Sequence, residues 1–176
     1  YLVNTPELGI NAATAGLIVA VYWFLMMVGR FVGASIGSKV SSRAMLTTVS
    51  IATLVLVSFG MFAPTDITVS VPGIDWANLK LIWANVPVGI FAFLLVGLCT
   101  SVMWGGIFNM AVEGLGKYTA VASGIFMTMV FGCAVMLAIQ AQVAEMTDYM
   151  TSYWVVMFCA AYLLFYALIG SKPAKK

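Results

Sequence analysis

Histidine is absent from the 176 residues, and charge is scarce: eight basic and six acidic side chains make up 8% of the chain. Common metal centres need histidine or clustered thiolates, so such a site is hard to assemble here. No pair of deeply placed carboxylates is available for acid–base chemistry. Gly114-Leu115-Gly116-Lys117 bears a superficial likeness to a phosphate-binding loop, but it lacks that loop's spacing and its preceding strand. These residues predict neither an enzyme nor a cofactor. The three cysteines, Cys99, Cys133 and Cys159, fall inside apolar runs, where an odd number argues for packing rather than disulfides. The first stretch has no basic leader and its apolar run is too long, so it does not read as a signal peptide.

What fills the sequence instead is hydrocarbon. Hydrophobic residues make up 63% of the chain, and the mean hydropathy is +1.07. They form about five runs, over 12–36, 44–63, 81–111, 120–141 and 150–169. A helix rising about 1.5 Å per residue crosses a hydrocarbon layer of roughly 30 Å in about 20 residues. The runs are apolar on all sides, unlike the alternation of a membrane β-barrel. An all-α integral membrane protein with five complete transmembrane helices is the expectation.

Charge placement predicts the orientation. If each run crosses once, Arg30, Lys39, Arg43, Lys117, Lys172, Lys175 and Lys176 share one side. Lys80 is alone on the other side with Glu7, Asp66, Asp75, Glu145 and Asp148. The positive-inside rule then puts the C-terminus in the cytoplasm and the N-terminus outside. Three lysines after a membrane helix read as an inner anchor, not as a nucleic-acid arm.

Along the chain, Pro6 and Gly9 interrupt the opening segment, and Asn11 or Thr14 is expected to cap the first helix. Gly29, Gly33 and Gly37 recur every fourth residue, a smooth stripe that lets a second helix come close. Gly124, Thr128 and Gly132 suggest a similar stripe on the fourth run. Residues 64–80 form an acidic loop in which the alternation from Ile67 to Val71 suggests a small external strand. Gly105-Gly106, deep in the third run, predicts a bend, which membranes tolerate where it lines a cavity or is buried in protein. The aromatic fifth run, with Trp154, Tyr162, Phe165 and Tyr166, reads as a peripheral support.

Tyr22 and Trp23 lie near the middle of the first run, away from the interfacial belts where such residues gather. Trp104 lies seven residues before Ala111. Aromatic faces that also donate hydrogen bonds suit sugars and other polar rings, although plain packing remains open for all three. Arg30 is embedded about six residues from Ile36 and calls for a carboxylate, helix-end carbonyls or lipid headgroups, in a structural or gating role. Asn109, Glu113 and Lys117 follow at four-residue spacing, so one helix face and a Glu113–Lys117 pair are expected, as a held helix end or as a gate. No acidic residue lies at the midpoint of a run.

Two stretches resemble the fucose and glucose/galactose–proton symporter group of the major facilitator superfamily. The first is Tyr22-Trp23 followed by Met27-Val28-Gly29-Arg30-Phe31-Val32-Gly33 and the basic Ser38-Lys39 and Arg43. It is similar to that group's eighth transmembrane helix and the loop after it. The second, Trp104-Gly105-Gly106-Ile107-Phe108-Asn109 through Gly116-Lys117-Tyr118-Thr119, is similar to the end of helix ten. Family members usually read aromatic-Pro-Thr-Ile-Phe there, so Gly105 departs from the pattern, and with it cavity shape and sugar specificity.

The resemblance implies that residues 1–176 are a partial C-terminal transmembrane domain, carrying helices eight to twelve of a twelve-helix transporter. Tyr1-Leu2-Val3 would end helix seven. The implied partners are a missing N-terminal six-helix half, membrane lipid, a small-molecule sugar and protons, whose coupling carboxylates the family keeps in that other half. The implied location is a bacterial inner membrane. Tyr22, Trp23 and Trp104 are the positions transferred to the sugar cavity, with Asn109 beside them. Gly29, Arg30, Gly33, Gly105, Gly106, Glu113 and Lys117 carry gating or structural roles. The expected function is secondary active transport of a sugar or sugar-like solute by alternating access. The alternatives are a major facilitator transporter for a non-sugar solute and a non-transporting membrane scaffold.

Overall fold

The computed structural model describes residues 10, 12–37, 39–64, 66–75 and 80–170. The opening residues, Asn11, Ser38 and the terminal lysines lie outside them. Helix α1 (Ala12–Gly37) is followed by α2 (Ser42–Phe62), a hairpin of β1 (Thr68–Asp75) and β2 (Lys80–Pro87), α3 (Val88–Val112), α4 (Thr119–Met129), α5 (Phe131–Met146) and α6 (Tyr149–Phe165). Among the described residues five helical segments are long and apolar enough to cross a membrane, α4 and α5 counting as one segment from Gly116 to Met146. The chain is a multi-pass, all-α bundle consistent with a major-facilitator half-bundle, with one small hairpin at one end.

Sequence explains most of the helix boundaries. Ser41 caps α2 by accepting the Ala44 N–H at 3.3 Å, and Pro64 follows its last turn. Helix α1 starts at Ala12, so Thr14 sits inside its first turn and is 1% exposed rather than capping it.

The third run departs most from expectation, because its helix begins at Val88 and not at Leu81. Lys80–Pro87 is instead strand β2, antiparallel to β1, with Val69 opposite Val86 and Val71 opposite Ala84. Pro87 biases the residue before it toward extended backbone, and Ile82, Trp83 and Val86 suit a strand. On the other face Ser70 Oγ bonds Asn85 Oδ1 at 2.8 Å. The hairpin buries Val86 against Ile10, Ala15 and Ile90, which fixes it to the ends of α1 and α3.

Helix α3 is the centre of the bundle, with α1, α2 and α4 against it, while α6 packs on α2 and α5. Its contacts with α1 and α2 are glycine-mediated. A Cβ on Gly29 would lie 2.9 Å from the Leu98 carbonyl oxygen, and one on Gly33 would lie 3.0 Å from Val102 Cγ2. A Cβ on Gly89 would lie 2.9 Å from the Gly60 carbonyl oxygen. Near the other end Leu46, Met103 and Ala167 form a second buried cluster.

Two expectations about bends and stripes have no counterpart among the described residues. Helix α3 runs unbroken through Gly105-Gly106; Gly106 faces Ser42 and Leu46 at the start of α2, whereas Gly105 is open. The break falls in the fourth run at Val130, between α4 and α5. Gly124 and Gly132 have no neighbour that an added Cβ would meet within 4 Å, so no helix among the described residues uses that stripe. Helix α6 is also less peripheral than expected. It buries Ser152 and Ala160, whereas α4 and α5 bury no residue.

Candidate functional site

Among the cavities beside the α1–α3 contact, one lies toward the hairpin end and one toward the end that carries the α1–α2 turn. Six of the candidate residues line these two.

The cavity toward the turn, about 380 Å³, is lined by Arg30, Gly33, Trp104, Gly105 and Asn109 together with Ser42. Helices α1 and α3 therefore bring five of the sequence candidates together. Small side chains on α1 leave the space, and α3 supplies the indole and the amide. Trp104 is 43% exposed, and its ring lies 5.2 Å from Phe126 of α4, which also meets Phe108 edge-on at 5.5 Å. Arg30 is exposed at this cavity. An indole face, an amide and a guanidinium together offer stacking and hydrogen-bond donors to a polar ring.

Tyr22 lies in the other cavity. Its ring packs on Gly97, where an added Cβ would sit 3.0 Å from the ring. Trp23 meets it edge-on at 5.8 Å but is itself 61% exposed and turned outward. This cavity, about 490 Å³ and open on one side, is lined by α1, α2, α3, α5 and α6, and its polar lining comes from Tyr22, Thr100, Gln140 and Tyr153. Sequence reasoning missed the last three. Gln140 did carry a signal, being an amide near the end of a run that is otherwise apolar. Thr100 and Tyr153 carried none, since such residues pack unremarkably in most membrane helices.

The predicted face of Asn109, Glu113 and Lys117 does not form. Helix α3 ends at Val112, and Gly114 and Gly116 turn the chain with φ of +77° and +50°. A left-handed backbone of this kind favours glycine and breaks the four-residue register. Glu113 lines a third cavity of about 950 Å³ with Asn109 and Arg43, whereas Lys117 Nζ sits 5.2 Å from the Tyr118 ring centroid. Among the described residues no group of three or more His, Cys, Asp or Glu side chains is placed to hold a metal.

Comparison with known proteins adds a direction. The chain is 28% identical over 172 residues to a glucose/galactose transporter of Brucella abortus, covering 98% of this chain and 37% of that protein. It is 26% identical over 170 residues to a putative glucose/galactose transporter of Helicobacter pylori, covering 94% of this chain and 37% of that one. The similarity is to sugar transporters. The chain thus spans little more than a third of the curated relatives it matches. No family model matches the sequence, and no solved structure matches it.

Proposed function

We propose that the chain is the C-terminal part, helices eight to twelve, of a major facilitator secondary transporter that carries a sugar or sugar-like solute. The observation behind this reading is the similarity to glucose/galactose transporters along 98% of the chain. The geometry supports it, because the bundle holds aromatic and amide side chains around two cavities inside membrane-spanning helices. Solute contacts fall to Tyr22, Trp104 and Asn109, which line these cavities, and to Trp23, which stands beside Tyr22 on the exposed face of α1. Gly29 and Gly33 hold α1 against α3, and Gly106 holds α2 against α3. The open Gly105 leaves freedom beside Trp104.

Transport proceeds by alternating access, the two halves of the complete protein rocking about the solute. Arg30, Glu113 and Lys117 stand at the end that closes toward the basic side. That side is cytoplasmic, with the C-terminus there, in a bacterial inner membrane. Protons drive uptake through carboxylates in the N-terminal six-helix half, since no acidic residue sits at mid-span in this part.

The test is uptake of labelled hexoses and 6-deoxyhexoses into proteoliposomes carrying the full-length protein, with and without an inward proton gradient. Gradient-stimulated uptake of one sugar that falls at least tenfold in Trp104→Ala is the expected result. Folded protein that takes up no sugar contradicts the sugar assignment.

A further inference from the structure

Gln140 is chemically out of place. It lies six residues before the end of α5, directly after the apolar stretch 131–139 and before Gln142 and Glu145. An amide carries two N–H donors and a carbonyl acceptor, and leaving them unmet in an apolar setting is expensive. Gln140 is half-buried, faces the 490 Å³ cavity, and has no hydrogen-bond partner among the described residues. The Tyr22 hydroxyl, on the same cavity, is also without a hydrogen-bond partner there.

The remaining walls narrow the ligand further. Thr100 Oγ1 already donates to the Val96 and Gly97 carbonyls at 3.1 and 3.2 Å, so toward the cavity its oxygen can only accept. Phe93 and Tyr153 stack at 4.3 Å and form a flat apolar wall. No charged side chain among the described residues lines the space. A carboxylate or an ammonium group placed there would meet no counter-charge from these helices, whereas hydroxyls would meet donors and acceptors.

We propose that this cavity takes an uncharged, monosaccharide-sized polyol ring, and that Gln140 is its specificity-determining residue, its amide bridging two neighbouring hydroxyls. The assignment rests on the sugar-transport reading above and adds the charge class and the selecting residue. An amide that accepts from one hydroxyl and donates to the next reads their relative position, because an analogue lacking either leaves half the amide unpaired.

The experiment measures hexose uptake by the full-length protein in proteoliposomes, with a series of singly deoxygenated hexoses, a hexuronate and a hexosamine as competitors. The variants are Gln140→Leu, Gln140→Asn and, as a control on the same helix, the exposed Gln142→Leu. Gln140→Leu is expected to raise KM for the hexose about tenfold, the effect of losing roughly one hydrogen bond. It should also abolish discrimination against one deoxy analogue. Gln140→Asn should fall between, and Gln142→Leu should match wild type. The charged sugars should compete poorly throughout. Hexose uptake with unchanged KM and unchanged deoxy ranking in Gln140→Leu overturns the assignment alone, as does equal competition by the hexuronate. Absence of any hexose uptake by wild-type protein overturns the transport reading and the assignment together.

Discussion

The first and fourth membrane runs carry the same sequence signal, small residues at four-residue spacing, and use it differently. On α1 the stripe is occupied: Gly29 and Gly33 lie directly against α3. On α4 and α5 it is open, with nothing near Gly124 or Gly132 and no buried residue on either helix. A glycine stripe therefore records that a close approach is allowed, and only the neighbouring helix decides whether one occurs. The contrast repeats within α3, where Gly106 approaches α2 and Gly105 beside it touches nothing.

Substitutions to alanine in the full-length protein sharpen this contrast, because the sign of the effect should differ. Gly29→Ala pushes a methyl group against backbone, and overpacking of this kind typically destabilises by about 1–3 kcal/mol. Its thermal unfolding temperature in detergent should drop clearly. Gly105→Ala has room, and removing a mid-helix glycine stabilises by about 0.5–1 kcal/mol. Its unfolding temperature should rise; a fall would mean that a neighbour occupies the open side. If the variant is more stable but carries solute more slowly, the freedom beside Trp104 is used during transport.

The smallest effect is expected outside the membrane, at the α5–α6 turn. Asp148 caps α6 by accepting the Thr151 backbone N–H at 3.0 Å and the Thr151 hydroxyl. These two bonds, the hydroxyl's first, hold its carboxyl below the usual range. A depressed folded value means the contribution is present above the unfolded carboxylate range near about pH 4. It is lost as pH falls through the folded value. Asp148→Asn should flatten that acid limb slightly, and unfolding curves that superimpose at every pH would contradict the role.

Much of the architecture was legible in the sequence because hydrocarbon thickness sets helix length independently of tertiary detail. The apolar run read at 44–63, for example, is α2, Ser42–Phe62. The start of the third helix was not legible from hydropathy, since Lys80–Pro87 is apolar enough to pass for membrane and only strand pairing separates the two outcomes. The break at Val130 has no proline to announce it, and Gly132 two residues on lies inside α5. Of the candidate residues, Arg30, Gly33, Trp104, Gly105 and Asn109 meet in one cavity because α1 and α3 cross beside them. Tyr22 sits apart in the other cavity, and Gln140 joins it only because α5 packs on α6, which in turn packs on α2, a tertiary fact that spacing along one helix does not contain.

The central claim, that a sugar solute reaches Trp104, is tested most directly by thiol protection. Trp104→Cys, in the full-length protein with its native cysteines replaced, is labelled with a maleimide in the presence and absence of glucose or galactose. The account predicts that one of these hexoses slows labelling severalfold. Labelling at the same rate with and without every hexose would contradict it.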